Sequence, residues 1–170
     1  AHEVIIETPN HDQALHELET SKLEDLFWAF RDRIMDLKKD PRLEYILIFK
    51  NHGTAAGASL AHSHSQLIAM PMVPVRMKQE TAGSKNYHDY KERCVYCDII
   101  RQETEDKIRI VAQNDDFVAI TPFASRFPFE LWILPLQHSS DFQNIQKHEV
   151  ANLATMMKKV LGKHDFVLDN

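Results

Sequence analysis

Asn51-His52-Gly53-Thr54-Ala55-Ala56-Gly57-Ala58-Ser59-Leu60-Ala61-His62-Ser63-His64-Ser65-Gln66 is the stretch on which the reading of this chain turns. Its last residues alternate. Every second side chain of a strand shares a face, so a strand over Ala61 to Met70 would put His62, His64 and Gln66 on one side. Ser63 and Ser65 would point to the other. Two imidazoles and a carboxamide on one surface suit phosphate. A neutral imidazole can attack phosphorus and hold it covalently; glutamine donates a hydrogen bond but does not readily move a proton. Taken alone, His-x-His is equally the pattern of a metal-ligand pair or of two surface histidines. The loop before it narrows the choice. Of the chain's 4 glycines, Gly53 and Gly57 both sit there. Glycine permits close backbone approach, and successive amide N–H groups can make a concave anion site. Asn51, Gly57, Ala58, Ser59 and Gln66 are therefore the candidate substrate-binding residues. A glutamine, rather than a proton donor, fits a leaving group that is itself a phosphate, whose second pKa is about 6. The site suits transfer between phosphates better than hydrolysis.

Outward from this stretch, 170 residues allow one full domain or two small ones. A net charge of −5 argues against a nucleic-acid partner. Apolar runs such as Tyr45 to Phe49 are too short to span a membrane, no secretory leader pattern is evident, and a cytoplasmic setting is expected. Val4 to Glu7 reads as a strand. A helix is expected from Ser21, as N-cap with Glu24 behind it, to Lys39. Leu43 to Lys50 reads as a further strand. Residues 75–91 lack periodicity and read as a linker between units at 1–74 and 92–170. The second unit should hold a short helix after Cys94, strands near Ile108–Gln113, Phe117–Thr121 and Glu130–Leu134, and a helix over Lys147–Gly162. Phe166-Val167-Leu168 reads as the start of a strand, and the acidic run Glu103 to Asp106 as a solvated turn.

The halves repeat one another. Counted from His11 and His138, Leu15 matches Phe142, Leu23 matches Val150, Phe30 matches Met157 and Ile34 matches Leu161, without a gap. This suggests two copies of one α+β unit. The first copy lacks an equivalent of Cys94 to Pro128, and the second lacks one of Asn51 to Gln66, so both units are expected to be incomplete. Cys94-x-x-Cys97 has the spacing of two thiolates on one zinc, with His138 as the best third ligand. A redox pair and two buried thiols are the alternatives.

Asn51 to Gln66, with Phe49 before it, resembles the active-site stretch of galactose-1-phosphate uridylyltransferases, a histidine-triad family with the pattern Asn-x-Gly-x-x-x-Gly-x-Ser-x-x-His-x-His-x-Gln. Asn51, Gly53, Gly57, Ser59, His62, His64 and Gln66 meet every fixed position. The likeness extends through Val4 to His11 and Thr121 to His138. Ser63 stands where members commonly have proline, which is similar to the branch of bacterial and archaeal homologues and of ADP-glucose phosphorylase. The resemblance implies an α+β fold of two histidine-triad-like units, each an antiparallel sheet plus a helix. It implies nucleotidyl transfer between sugar 1-phosphates through a covalent intermediate, with His64 as the nucleophile. It places His11 and His62 as metal ligands, supports zinc at Cys94, Cys97 and His138, and points to a homodimer. The implied partners are a nucleotide sugar and a sugar 1-phosphate. Two outcomes compete: an ADP-sugar phosphorylase on the same scaffold, or a non-catalytic nucleotide- or zinc-binding chain. A lesser possibility is that His11 and His62 share one metal with Cys94 and Cys97.

Overall fold

The computed structural model describes residues 1–58 and 60–168. Its first sheet has β3 (His64–Met70) between β1 (His2–Ile6) and β2 (Tyr45–Phe49), antiparallel to both. The registers Ile6↔His64 and Phe49↔Gln66 put the chemistry at the opening of the central strand. Along β3 the residues Leu67 and Ala69 are buried and Ile68 and Met70 less so, the alternation of a strand with one covered face. The second sheet runs β4 (Ile110–Gln113), β5 (Phe117–Ile120), β6 (Trp132–Pro135), again antiparallel. All four residues of β5 are buried.

Between the strands run α1 (Thr20–Leu37), α2 (Val75–Lys91) and α3 (Val95–Asp106), and α4 (Lys147–Leu168) follows β6. Helices α1 and α4 pack on each other, and one core spans both halves: Leu18, Leu23 and Phe27 meet Ala112, Phe117 and Ala119 and the α4 residues Val150, Leu153, Ala154, Met156 and Val160. Each leucine, valine, phenylalanine or methionine among them contributes about 1.5–3 kcal/mol when fully buried. Polar ties reinforce the seam. Lys158 donates to the Leu18 carbonyl at 2.5 Å and Arg31 to that of Gln143 at 3.2 Å. Glu3 of β1 takes both arms of Arg33 at 2.6 and 2.8 Å, and that guanidinium holds its carboxyl below the usual range.

The repeat appears as geometry. After His11 come a 3-10 turn at Leu15–Glu17 and then α1; after His138 come one at Phe142–Asn144 and then α4, in the same register.

Four expectations need correction. Residues 75–91 form a helix rather than an aperiodic connection. None of its residues is buried, so no apolar stripe marks it; Arg76–Glu80 and Lys85–Asp89 pairs, one turn apart, support it instead. Phe166 to Leu168 extend α4, since prolonging an existing helix fixes one residue per new hydrogen bond. Helix α1 starts at Thr20, with Glu19 as N-cap and no side-chain cap, so Ser21 lies inside it. Glu103 is buried within α3 and paired with Arg109 at 2.8 Å, not solvated.

Candidate functional site

Strand β3 begins at His64, so His62 and Ser63 lie before the regular ladder. Their positions are set by other contacts. The His64 ring places Nδ1 2.8 Å from the His62 carbonyl oxygen. A carbonyl only accepts, so Nδ1 carries the proton and Nε2 holds the lone pair. The His62 ring is turned the opposite way. Its Nε2 lies 2.6 Å from the Thr8 carbonyl and must donate there, which frees Nδ1, 3.3 Å from Nδ1 of His11. Two imidazole nitrogens bound to one tetrahedral zinc at about 2.0–2.1 Å would lie about 3.3–3.4 Å apart. The histidine pair is thus spaced as metal ligands are, whereas His64 is oriented as a nucleophile is.

His64 is itself buried, at 3% exposure, at the wall of a cleft of about 480 Å³ also lined by His11, Lys50, Asn51, Gly53, Ala58 and His62. That volume is in the range of small-molecule sites. Gln66 does not line the cleft, but its amide donates to Asn51 Oδ1 at 3.4 Å, and its oxygen lies 3.1 Å from the His2 ring. Asn51 in turn donates to the Ala56 carbonyl at 2.7 Å. Gly53 and Gly57 have φ of +76° and +83°, where side chains with a Cβ are strained. The loop between them closes on itself: Gly57 N–H donates to Thr54 and Ala58 N–H to Gly53. Those two amides, expected as open anion donors, are spent internally. Ser59 lies outside the described residues.

Sequence reasoning missed what stands behind the histidines. Glu7, whose side chain is fully buried, accepts from Ser63 Oγ at 2.5 Å and from Ser65 Oγ at 2.6 Å. Lys50 donates to the same carboxylate at 2.7 Å, to Ser63 Oγ at 2.9 Å and to the His64 carbonyl at 3.2 Å. The signal was present: a lone acid closing an apolar strand, and hydroxyls at the two positions flanking His64.

The second cluster is Cys94, Cys97 and His138, whose ligand atoms all lie within 4.8 Å of one another. Cys94 caps α3, Cys97 sits in its first turn, and His138 follows β6. Sγ of Cys97 is 3.3 Å from Nδ1 of His138. Two thiols and an imidazole so placed fit three corners of a zinc site. Without a cation, burial and then Cys94 push the Cys97 thiol up. Among the described residues this is the one group of three or more such ligands, so His11 and His62 do not join Cys94 and Cys97 in a shared site.

Two sheet-and-helix units in repeat, with an oriented histidine at the head of the central strand of the first, define a double histidine-triad-like α+β chain. The chain belongs to the galactose-1-phosphate uridyl transferase family: residues 1–74 match that enzyme's N-terminal domain and residues 76–169 its C-terminal domain. It is 35% identical to the ADP-glucose phosphorylase of Arabidopsis thaliana over 162 residues, 95% of this chain and 45% of that protein. It is 34% identical to the galactose-1-phosphate uridylyltransferase of Thermotoga maritima, over 98% of this chain and 52% of that one. A solved structure of an Arabidopsis thaliana ADP-glucose phosphorylase with bound ADP-glucose superposes with a TM-score of 0.92 at 33% identity, covering 99% of this chain and 53% of that one. The chain spans about half the length of the curated relatives it matches. No helix among the described residues is long and apolar enough to cross a membrane.

Proposed function

We propose that this chain carries the nucleotide-accepting site of a nucleotidyltransferase that moves a nucleoside monophosphate between sugar 1-phosphates. The observation that carries the reading is the His64 ring: buried on the cleft wall, its Nδ1 tied to the His62 carbonyl, its Nε2 free to attack. In the first half-reaction Nε2 attacks the α-phosphorus of a nucleotide sugar. An N–P bond forms, the P–O bond to the sugar 1-phosphate breaks, and that phosphate leaves with its electron pair. In the second, an oxygen of another sugar 1-phosphate, or of inorganic phosphate, attacks the same phosphorus and His64 departs. A phosphate leaving group needs no strong acid, which agrees with Gln66 and Asn51 as neighbours. Those two, with Ser59, would hold the non-bridging oxygens, while the Gly57 and Ala58 amides, spent inside the loop, would fix its shape. Positioning and charge stabilisation supply most of the rate in such reactions.

The first unit, 1–74, would carry the chemistry and the second, 92–170, a structural zinc. Cys94, Cys97 and His138 would hold that ion, which when bound would cross-link the start of α3 to the end of β6. His11 and His62 would supply two ligands of a separate site. Two relatives at similar identity, one named for ADP-glucose and one for galactose 1-phosphate, leave both a uridylyl and an adenylyl donor as readings to be separated by experiment.

The protein is incubated with UDP-glucose and ADP-glucose labelled at the α-phosphate, and acid-labile label on histidine is measured. One donor should label the wild type, and His64→Asn should lower the label at least about 10³-fold. Equal labelling of the variant would remove His64 from its role. No label from either donor would favour a chain that binds nucleotide or zinc without turnover.

A further inference from the structure

The strand that presents His64 is held from behind, and the holding group lies where the ladder has ended. Pairing of β1 with β3 stops at Ile6↔His64. The carbonyl that orients the His64 ring belongs to His62, beyond that point. One backbone bond, from Glu7 N–H to the Ser63 carbonyl at 3.2 Å, continues the pairing. The rest is side chain. Ser63 and Ser65, the two neighbours of His64, each donate to a different oxygen of the one Glu7 carboxylate. Lys50 joins that carboxylate to Ser63 and to the carbonyl of His64 itself.

Lys50 also lines the cleft, and a lysine in a phosphate site is ordinarily read as a phosphate ligand. Its donors decide otherwise. An ammonium has three N–H groups, and Glu7, Ser63 and the His64 carbonyl offer three acceptors within 3.2 Å. Nothing is left over for a substrate oxygen. Its charge is met by a carboxylate that is fully buried, so the pair adds little net field to the cleft.

We infer that Glu7 and Lys50 form a clamp that positions the His64 nucleophile, acting through Ser63, Ser65 and the backbone of residues 62–64 and not through contact with substrate. The inference rests on the proposed role of His64. It assigns Lys50 to holding the strand, and it accounts for serines rather than other residues on both sides of the histidine.

The test uses Glu7→Gln, Lys50→Met and the double variant, with Ser65→Ala as a milder change that removes a single donor. Two quantities are read. The first is the rate constant for label transfer to His64 in a single turnover, with the donor concentration for half-maximal rate. The second is the His64 ring tautomer, from 15N shifts of histidine-labelled protein, which needs no activity. Each single variant should slow transfer about 10²-fold, the usual cost of misplacing a reacting group by about 1 Å, with half-saturation changed less than about threefold. The double variant should be no slower than the worse single one, and the tautomer should shift away from the Nδ1–H form. Ser65→Ala should lie between, and should report alone if the others fail to fold. Unchanged rate and unchanged tautomer would overturn the clamp. So would a Lys50→Met whose main effect is a raised half-saturation, because that would make Lys50 a substrate ligand. If the wild type labels with no donor, the proposed function fails while the tautomer still judges the clamp.

Discussion

His62 and His64 stand two positions apart and differ because different carbonyls turn their rings. Thr8 takes Nε2 of one and His62 takes Nδ1 of the other, so the nitrogen without the proton is Nδ1 in the first, facing His11, and Nε2 in the second. The sequence distinguishes them only by resemblance; no rule of alternation does, since His62 lies before the strand. The candidate metal ligands were more legible. Cys-x-x-Cys sets two thiols on one turn by spacing alone, and the repeat register places His138 as the counterpart of His11. Glu7 and Lys50 left only a faint signal, an acid just after an apolar strand and hydroxyls beside His64, and no spacing joins partners that lie so far apart along the chain. Zinc analysis by plasma mass spectrometry tests the second cluster. If the cluster holds zinc as proposed, Cys97→Ser should lower the zinc content of the protein and its melting temperature. Undiminished zinc in that variant would show that the ion, if present, is held elsewhere.

At the level of elements, the errors of reading share a cause. Sequence periodicity reports burial, and where burial is absent or the chain leaves its ladder it reports nothing. Helix α2 is the clear instance, since its charges pair along its own surface and none of its residues is buried. The end of α4 is the converse. Phe166, Val167 and Leu168 are 72%, 56% and 50% exposed, so an apolar run that reads as the start of a strand is mostly exposed helix. Gly83 offers a measurement of how far α2 relies on local terms. It lies inside the helix, and a Cβ built there meets nothing within 4 Å. Gly83→Ala should therefore stabilise α2 by about 0.5–1 kcal/mol. Native-state hydrogen exchange of the α2 amides would register it as slower opening. Faster exchange would mean that the glycine is needed for a contact the free helix does not make.

On the scale of the molecule, one core joins the halves while α2 stands outside it. Leu23 and Phe27 of α1 pack with Val150, Leu153 and Met156 of α4, and Lys38–Asp141 and Lys158–Leu18 cross the same seam. Helix α2 contributes no buried residue, although Tyr87 donates to Asp98 at 2.8 Å and so ties its end to α3. Elements with few buried contacts open first. Limited proteolysis should accordingly nick within α2, and the two products should elute together on size exclusion and part only in denaturant. Separation under native conditions would mean that the seam is too weak to hold without the covalent connection.

A helix of 17 residues reaches about 25 Å. Its contribution to cohesion is then one of proximity: a tether of that reach keeps its ends at an effective concentration in the millimolar range. If the dissociation constant of the α1–α4 seam lies well below the concentration of the separate halves, the covalent link is dispensable once both halves exist. Two polypeptides divided within α2 and made in one cell would then complement each other, and the repeat would behave as a heterodimer that happens to be encoded as one chain.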